Sequence, residues 1–168
     1  MEFTNVVTGR ESIRKYDGRK PSDAQLTEIL EAGRWAPTAF NRQPQRVFVL
    51  ESEEALAKMD QVHPCRYGAA IVLLVCGDAT IAAGHKGNST ATVDATIAAT
   101  QMLLAAYNAG VDSVWAGVHE PEKVQEVFGF PETMIPICFI DLGFRPEGFK
   151  GNRDHGKKNP LENMVTRL

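Results

Sequence analysis

The sequence predicts an α/β or α+β fold, with a sheet of about four strands flanked by helices, and three observations carry that expectation. The chain has 168 residues, 43% of them apolar and 23% charged, the balance of one globular domain with a real core. Segments with apolar residues at helical spacing alternate with short β-branched runs. No linker, internal repeat or low-complexity stretch divides residues 1–168.

Taken in order, a first helix is expected over Phe3–Thr8, ending at Gly9. A second begins at Pro21-Ser22-Asp23-Ala24-Gln25, where Ser22 and Gln25 form a capping box. Leu26, Ile29 and Leu30 give it one buried face, and Gly33 and Pro37 close it. Arg46–Leu50 reads as a strand, and Ser52 caps a short helix through Met59. Ala70–Cys76 is a second strand, continuously apolar and so covered on both faces. Thr92–Asn108 is the most regular helix, stopped by Gly110. Small or apolar residues lie on nearly all its sides, which puts it against the sheet or a partner subunit, with Ala98 as a seam position. Val111–Val118 follows as a strand, then a helix from Pro121 to Gly129, then a strand over Pro136–Gly143. The 25 residues from Phe144 show little periodicity.

Bulk properties exclude several functions. A net charge of −3 and a pI near 5.8 argue against nucleic-acid binding. The longest apolar run, Ala69–Cys76, has eight residues, well short of the roughly 18 that span a bilayer. Met1-Glu2-Phe3-Thr4 lacks the regions of a signal peptide. The three cysteines include no C-x-x-C pair, and Cys76 and Cys138 sit in apolar runs, so buried, reduced thiols in a cytoplasmic protein are expected.

There is no G-x-G-x-x-G turn, no G-x-x-x-x-G-K-[ST] loop and no G-x-S-x-G elbow. His63, His85, His119 and His155 form no H-x-x-x-H pair, and no metal site is expected. Ten of the 18 basic residues fall in two stretches, Arg10, Arg14, Lys15, Arg19, Lys20 and Arg145, Lys150, Arg153, Lys157, Lys158. These are either two solvated segments or two ends converging on one phosphate.

Two segments carry chemistry. Arg10-Glu11-Ser12-Ile13-Arg14-Lys15-Tyr16 could offer two forked guanidinium donors and a hydroxyl to one phosphate. Trp35-Ala36-Pro37-Thr38-Ala39-Phe40-Asn41-Arg42-Gln43-Pro44 is a proline-bounded loop whose amides and hydroxyl could face a flat polar heterocycle. Either could also be an ordinary connection.

Together they resemble the nitroreductase family, whose R-x-S-x-R-x-[FY] signature matches Arg10–Tyr16 and whose A-P-[ST]-[AGS]-x-N-x-Q-P signature matches Ala36–Pro44. The likeness continues through Asp94–Ala106, the Gly110–Gly117 strand, Ile137–Gly143 and Pro160-Leu161-Glu162. It implies an α+β fold, an α/β/α sandwich with a mostly antiparallel sheet of four to five strands, and a homodimer with the long helix at its interface. It also implies an FMN-dependent oxidoreductase that carries electrons from NAD(P)H to a nitroaromatic, quinone or similar acceptor by a ping-pong route. By the resemblance, Arg10, Ser12, Arg14 and Lys158 match positions on the FMN phosphate. Pro37, Thr38, Ala39 and Asn41 match a loop reaching the ring from the second subunit, with Gln43 beside it in a contact or a structural role. Ala116 and Gly117 match a strand end whose N–H faces the ring. No catalytic side chain is implied. Departures are Gln45, where the family often has Trp, Gly156, where many members are basic, and a short segment before Asp94. The rival expectation is a flavin-binding or buffering protein, or a partner subunit, without efficient turnover.

Overall fold

Helices α1 (Phe3–Gly9) and α2 (Asp23–Arg34) precede strand β1 (Gln45–Leu50) in the computed structural model of the chain, which describes residues 1–85 and 88–168. There follow α3 (Glu53–Val62), β2 (Ile71–Asp78), a small pair β3 (Gly84–His85) and β4 (Asn88–Ser89), and α4 (Ala91–Asn108). β5 (Asp112–Gly117), α5 (Pro121–Phe128) and β6 (Met134–Gly143) complete the regular structure, apart from short 3₁₀ turns at Ala39–Asn41 and Leu161–Asn163. The sequence gives no sign of the β3–β4 pair, whose strands are two residues each.

Local signals set the element ends. Ser22 Oγ accepts from the Gln25 N–H while Gln25 Oε1 accepts from the Ser22 N–H, a complete capping box. Ser52 Oγ accepts from the Ala55 N–H in the same way. At the end of α4, Gly110 takes a φ of 74°. Its N–H donates to the Tyr107 carbonyl and that of Val111 to the Ala106 carbonyl, a Schellman closure. Gln25 also donates through Nε2 to the Ala109 carbonyl, tying the start of α2 to the end of α4.

The main sheet runs β1-β2-β6-β5, each neighbouring pair antiparallel. Ser12 adds one parallel bridge to Ser113 on the outer edge of β5. Pro136 stands opposite Cys76 in a central strand, where a missing N–H would break the ladder. The register shift between Val75 and Cys76 leaves Ile137 as the extra residue there, and this bulge accommodates the proline. The alternation of β2 divides the core. Ile71, Leu73 and Val75 face α2 and α4, whereas Val72, Leu74 and Cys76 face α3 and α5. An antiparallel strand is thus buried on both faces because helices cover both, which makes the three-layer α/β/α arrangement of an α+β fold. Burial pushes the Cys76 thiol up to about 12 and raises Cys138 as well. No helix among the described residues is long and apolar enough to cross a membrane.

Two sequence expectations need correction. Gly33 does not end α2; it lies buried inside it. A Cβ there would stand 2.8 Å from the Met102 side chain, so the glycine serves the close approach of α2 to α4. Ala98 is fully buried within its own chain, on the α4 face that includes Ala91, Ala95, Met102 and Ala106. The outward face is different: Val93 is 58% exposed, and Ile97 and Leu104 are half-buried.

Arg145, just past β6, braces this frame. Its guanidinium forks onto both carboxylate oxygens of Asp112, at 2.6 Å to Oδ1, and reaches Glu11 Oε1 at 2.5 Å. These contacts, those to Asp112 foremost, hold Arg145 charged beyond its ordinary range. Arg145→Ala leaves two partly buried carboxylates unpaired and is expected to cost about 2–4 kcal/mol. Arg19→Ala breaks an exposed pair with Asp17 and should leave the urea midpoint unchanged; parallel denaturation curves check the contrast.

Asp141 in β6 is fully buried, and neither carboxylate oxygen has a partner among the described residues. Burial raises its pKa to about 8, with Arg66 lowering it and Asp60 raising it. The native state therefore keeps a proton that the unfolded chain releases near pH 4. Stability is greatest below that pH and is lost as pH rises toward 8. Asp141→Asn should match the wild type near pH 4 and exceed it by a few kcal/mol at pH 8, as read from urea melts across that range.

Candidate functional site

The Arg10–Tyr16 segment is extended and docked on three sides. Ile13 N–H donates to the Ser113 carbonyl at 3.0 Å, Tyr16 N–H to the Tyr67 carbonyl at 3.1 Å, and Asp17 N–H to the Phe144 carbonyl at 3.0 Å. Ile13 and Tyr16 turn into the core, so Arg14 between them is exposed while Ser12 and Arg10 are half-buried. Among the described residues, neither Arg10 nor Arg14 pairs with a carboxylate. Their neighbours differ: Glu11 is held by Arg145, and Arg19 by Asp17 at 2.7 Å.

The second basic stretch approaches the first. Gly151 packs so closely on Glu11 that a Cβ would overlap its carboxylate, and His155 Nε2 lies 2.8 Å from the Thr8 carbonyl. Arg145 is committed to carboxylates and Lys157 pairs with Asp154 at 2.5 Å. Lys158 lies farther along the exposed tail, and no described contact ties it to Arg10 or Arg14.

Beside Arg14 opens a cavity of about 360 Å³, within the range of small-ligand sites, bordered by His63, Cys65, Tyr67, Gly117 and His119. Its floor is the outer edge of β5. In an antiparallel ladder a residue's N–H and C=O point the same way. Ser113 spends its carbonyl outward on Ile13, and the Val118 N–H turns inward to Ile137. Trp115 and Gly117 therefore present their main-chain groups outward, and Ala116 presents its own to β6. Ala116 borders the same cavity, with its main-chain groups turned to β6. The Gly117 N–H meets no backbone partner among the described residues. A Cβ on Gly117 would have nothing nearer than Trp115 Nε1 at 3.9 Å, so the space in front of it is open.

Loop Pro37–Pro44 stands on the opposite rim of the sheet, after α2. Phe40, Asn41 and Gln43 all have positive φ, 52°, 54° and 52°, unusual for residues with side chains. The loop's polar groups hold one another. Thr38 Oγ1 accepts from the Gln43 N–H at 3.0 Å, and Gln43 Nε2 donates to the Asn41 carbonyl at 3.2 Å. The Gln43 side chain is thus engaged within the loop. Pro37, Asn41 and Gln43 are exposed, Thr38 and Ala39 half-buried, and Phe40 is 90% exposed. Ala39 N–H donates to Asp94 Oδ1 at 3.1 Å, while Asp94 Oδ2 accepts from Thr90 Oγ1 at 2.9 Å. The loop and the β5 cavity are not brought together within one chain by any described contact.

Three residues escape sequence reasoning. Asp94 shows only as the lone charged residue of an apolar helix, and Arg145 only as one of ten clustered cations. His63 looks like a poor metal ligand, and it sits buried in the cavity wall. Its Nδ1 accepts from the Cys65 N–H at 3.1 Å, its ring stands edge-on to Phe139 and 6.4 Å from His119. Burial holds its pKa below the ordinary imidazole value, opposed by the neighbouring Gly117 carbonyl and reinforced by His119. Contact with Cys65, then burial, raises Tyr67, and Arg14 pulls the other way. Among the described residues, no three His, Cys, Asp or Glu side chains are grouped to hold a metal.

Comparison with known proteins fits this arrangement. The sequence model of the Nitroreductase family matches residues 7–65 and 63–144. A Methanothermobacter thermautotrophicus protein, provisionally named NADH dehydrogenase/NAD(P)H nitroreductase, is 32% identical over 163 residues, covering 92% of this chain and 82% of its own. The Bacillus subtilis FMN reductase [NAD(P)H] is 25% identical, covering 84% of this chain and 65% of its own. The crystal structure of a nitroreductase family protein from Clostridium difficile 630 superposes with a TM-score of 0.90 at 31% identity, covering 99% of this chain and 98% of that one. The chain described here, with its docked Arg10–Tyr16 segment and its strained Ala36–Pro44 loop, belongs to the nitroreductase family.

Proposed function

We propose that this protein is an FMN-dependent oxidoreductase that takes electrons from NADH or NADPH and passes them to a small acceptor such as a nitroaromatic or a quinone. One observation carries the reading: Arg14, without a carboxylate partner among the described residues, lines a cavity against a strand edge with a glycine N–H turned outward, and Arg10 lies on the same docked segment. The names of the relatives, NAD(P)H nitroreductase and FMN reductase, support it. The chemistry that FMN supplies when bound is hydride acceptance from a nicotinamide and electron delivery to an acceptor.

The chain's part is to hold and tune. Arg10, Ser12 and Arg14 bind the terminal phosphate through forked, charge-assisted hydrogen bonds, with Lys158 added from the tail. The outward Gly117 N–H, already fixed by the strand, would offer a preorganised donor to a flavin held in the cavity. The sequence has no dinucleotide fingerprint, so a nicotinamide donor and an acceptor would share the cavity beside Arg14 in turn, which is a ping-pong route. No side chain is required as acid or base.

Residues 1–168 act as one flavin-binding unit, and the working form is a homodimer. The outward face of α4 and the exposed Phe3 and Val7 of α1 border an open apolar groove, the kind of surface an obligate interface covers. The Thr38–Asn41 loop, projecting from the rim, reaches the partner's ring. Three free thiols among the described residues support a reducing compartment, the cytoplasm.

Purified protein should be yellow and release FMN on denaturation; a colourless protein that FMN cannot reconstitute overturns the reading. Arg14→Ala should weaken FMN by about 1.5–3 kcal/mol, measured by flavin fluorescence, while Arg19→Ala changes little. Sedimentation should give a dimer that FMN strengthens. Leu104→Glu should lower dimer and flavin content together, and a wild-type monomer with full flavin occupancy would exclude the shared site.

A further inference from the structure

We infer that Asp94 is the positioning residue that holds the ring-facing loop in its binding geometry, an inference that rests on the flavin reading above. Asp94 is the only charged residue of α4, and it is 2% exposed. A carboxylate in a first helical turn commonly caps its own helix. This one does not: Thr90 is the N-cap residue and makes no side-chain cap to the helix backbone. Instead each Asp94 oxygen has a separate task. Oδ2 accepts from Thr90 Oγ1, which fixes the carboxylate's rotation, and Oδ1 accepts from the Ala39 N–H, on a segment 55 residues away in sequence.

The loop needs that anchor. Three of its residues hold left-handed backbone conformations, each disfavoured by about 1–3 kcal/mol unless the surroundings impose it. Its internal hydrogen bonds close the turn, but they link loop residues only to one another. The Ala39 N–H fastens the leading half of the turn to the body of the protein, while its trailing end is held by Arg46 Nη1 on the Gln43 carbonyl and by the Asp78 N–H on the Pro44 carbonyl. With Phe40 and Asn41 solvent-facing, no packing holds the tip. Asp94 therefore sets where the leading half of the loop, Thr38 and Ala39 with Asn41 beyond, stands, and it does so from α4, the helix that also carries the exposed Val93.

Chemistry separates this role from plain stabilisation. Asn keeps an acceptor for the Ala39 N–H, and its amide can donate to the Thr90 hydroxyl, so Asp94→Asn preserves both contacts; Asp94→Ala removes both. The test combines amide exchange of Ala39 in FMN-free protein with FMN affinity by fluorescence quenching. Asp94→Ala should speed Ala39 exchange and weaken FMN, each about tenfold or more, while Asp94→Asn stays within about threefold of wild type. Arg14→Ala should weaken FMN without moving Ala39 exchange. Faster exchange with unchanged FMN affinity, or unchanged exchange, overturns the assignment of Asp94 alone. A wild type that takes up no FMN overturns the flavin reading and this inference with it. Should Asp94→Ala fail to fold, Thr90→Val removes one of the two hydrogen bonds and should shift exchange and affinity together in the same direction; no shift in either again overturns the assignment.

Discussion

Arg145 fastens three parts of the chain that are far apart in sequence: the start of β5 through Asp112, the Arg10–Tyr16 segment through Glu11, and its own C-terminal stretch. Bidentate geometry makes the contact directional, since a guanidinium fork fits a carboxylate in one plane. With Glu11 fixed, Ile13 meets Ser113 and Tyr16 enters the core, so the alternation of an extended chain leaves Arg10 and Arg14 facing outward. The cations free for a ligand are free because another cation has taken the nearby carboxylates. Desolvating those three groups is costly, and what that cost secures is register at the one edge where the site is built.

The two halves of the site are held by different means. The β5 edge is rigid because it belongs to a sheet buried on both sides, and its availability comes from ladder parity and a glycine. The Thr38–Gln43 loop is exposed, closed by its own polar groups and tied to the body by Asp94 at Ala39 and by Arg46 at Gln43. Neither half encloses a ligand alone, and no described contact joins them within one chain. In the homodimer proposed above, a second copy would complete the enclosure over the apolar groove between α1, α2 and α4.

Much of this was legible in the sequence where the determinant is local. Ser22 with Gln25, Ser52, Gly110 and Pro121 each act within a few residues, and the structure honours all four. Both signature segments were legible as patterns, although their residues alone did not say whether they were sites or connections. What was not legible depends on distant partners. Gly33 looks like a helix stop until Met102 of α4 is seen against it. Ala98 could not be assigned to an inner or outer face, because α4 is small and apolar on nearly every side and gives no contrast. Ala116 and Gly117 differ only in which way a strand residue points, and that depends on Ser113 meeting Ile13. Asp94 and His63 take their meaning from partners across the fold, Ala39 in one case and the Gly117 carbonyl in the other.

The bare stretch of β5 at Trp115–Gly117 has a bearing on the protein's fate before any ligand arrives. An open strand edge with unpaired main-chain groups is a template for pairing with another chain, and here Ser12 and Ile13 shield its beginning while the Gly117 carbonyl faces His63. β1 leaves the opposite margin of the sheet open as well. A sheet with two open margins can pair edge to edge with another copy, and a ligand seated against β5 would cover one of them.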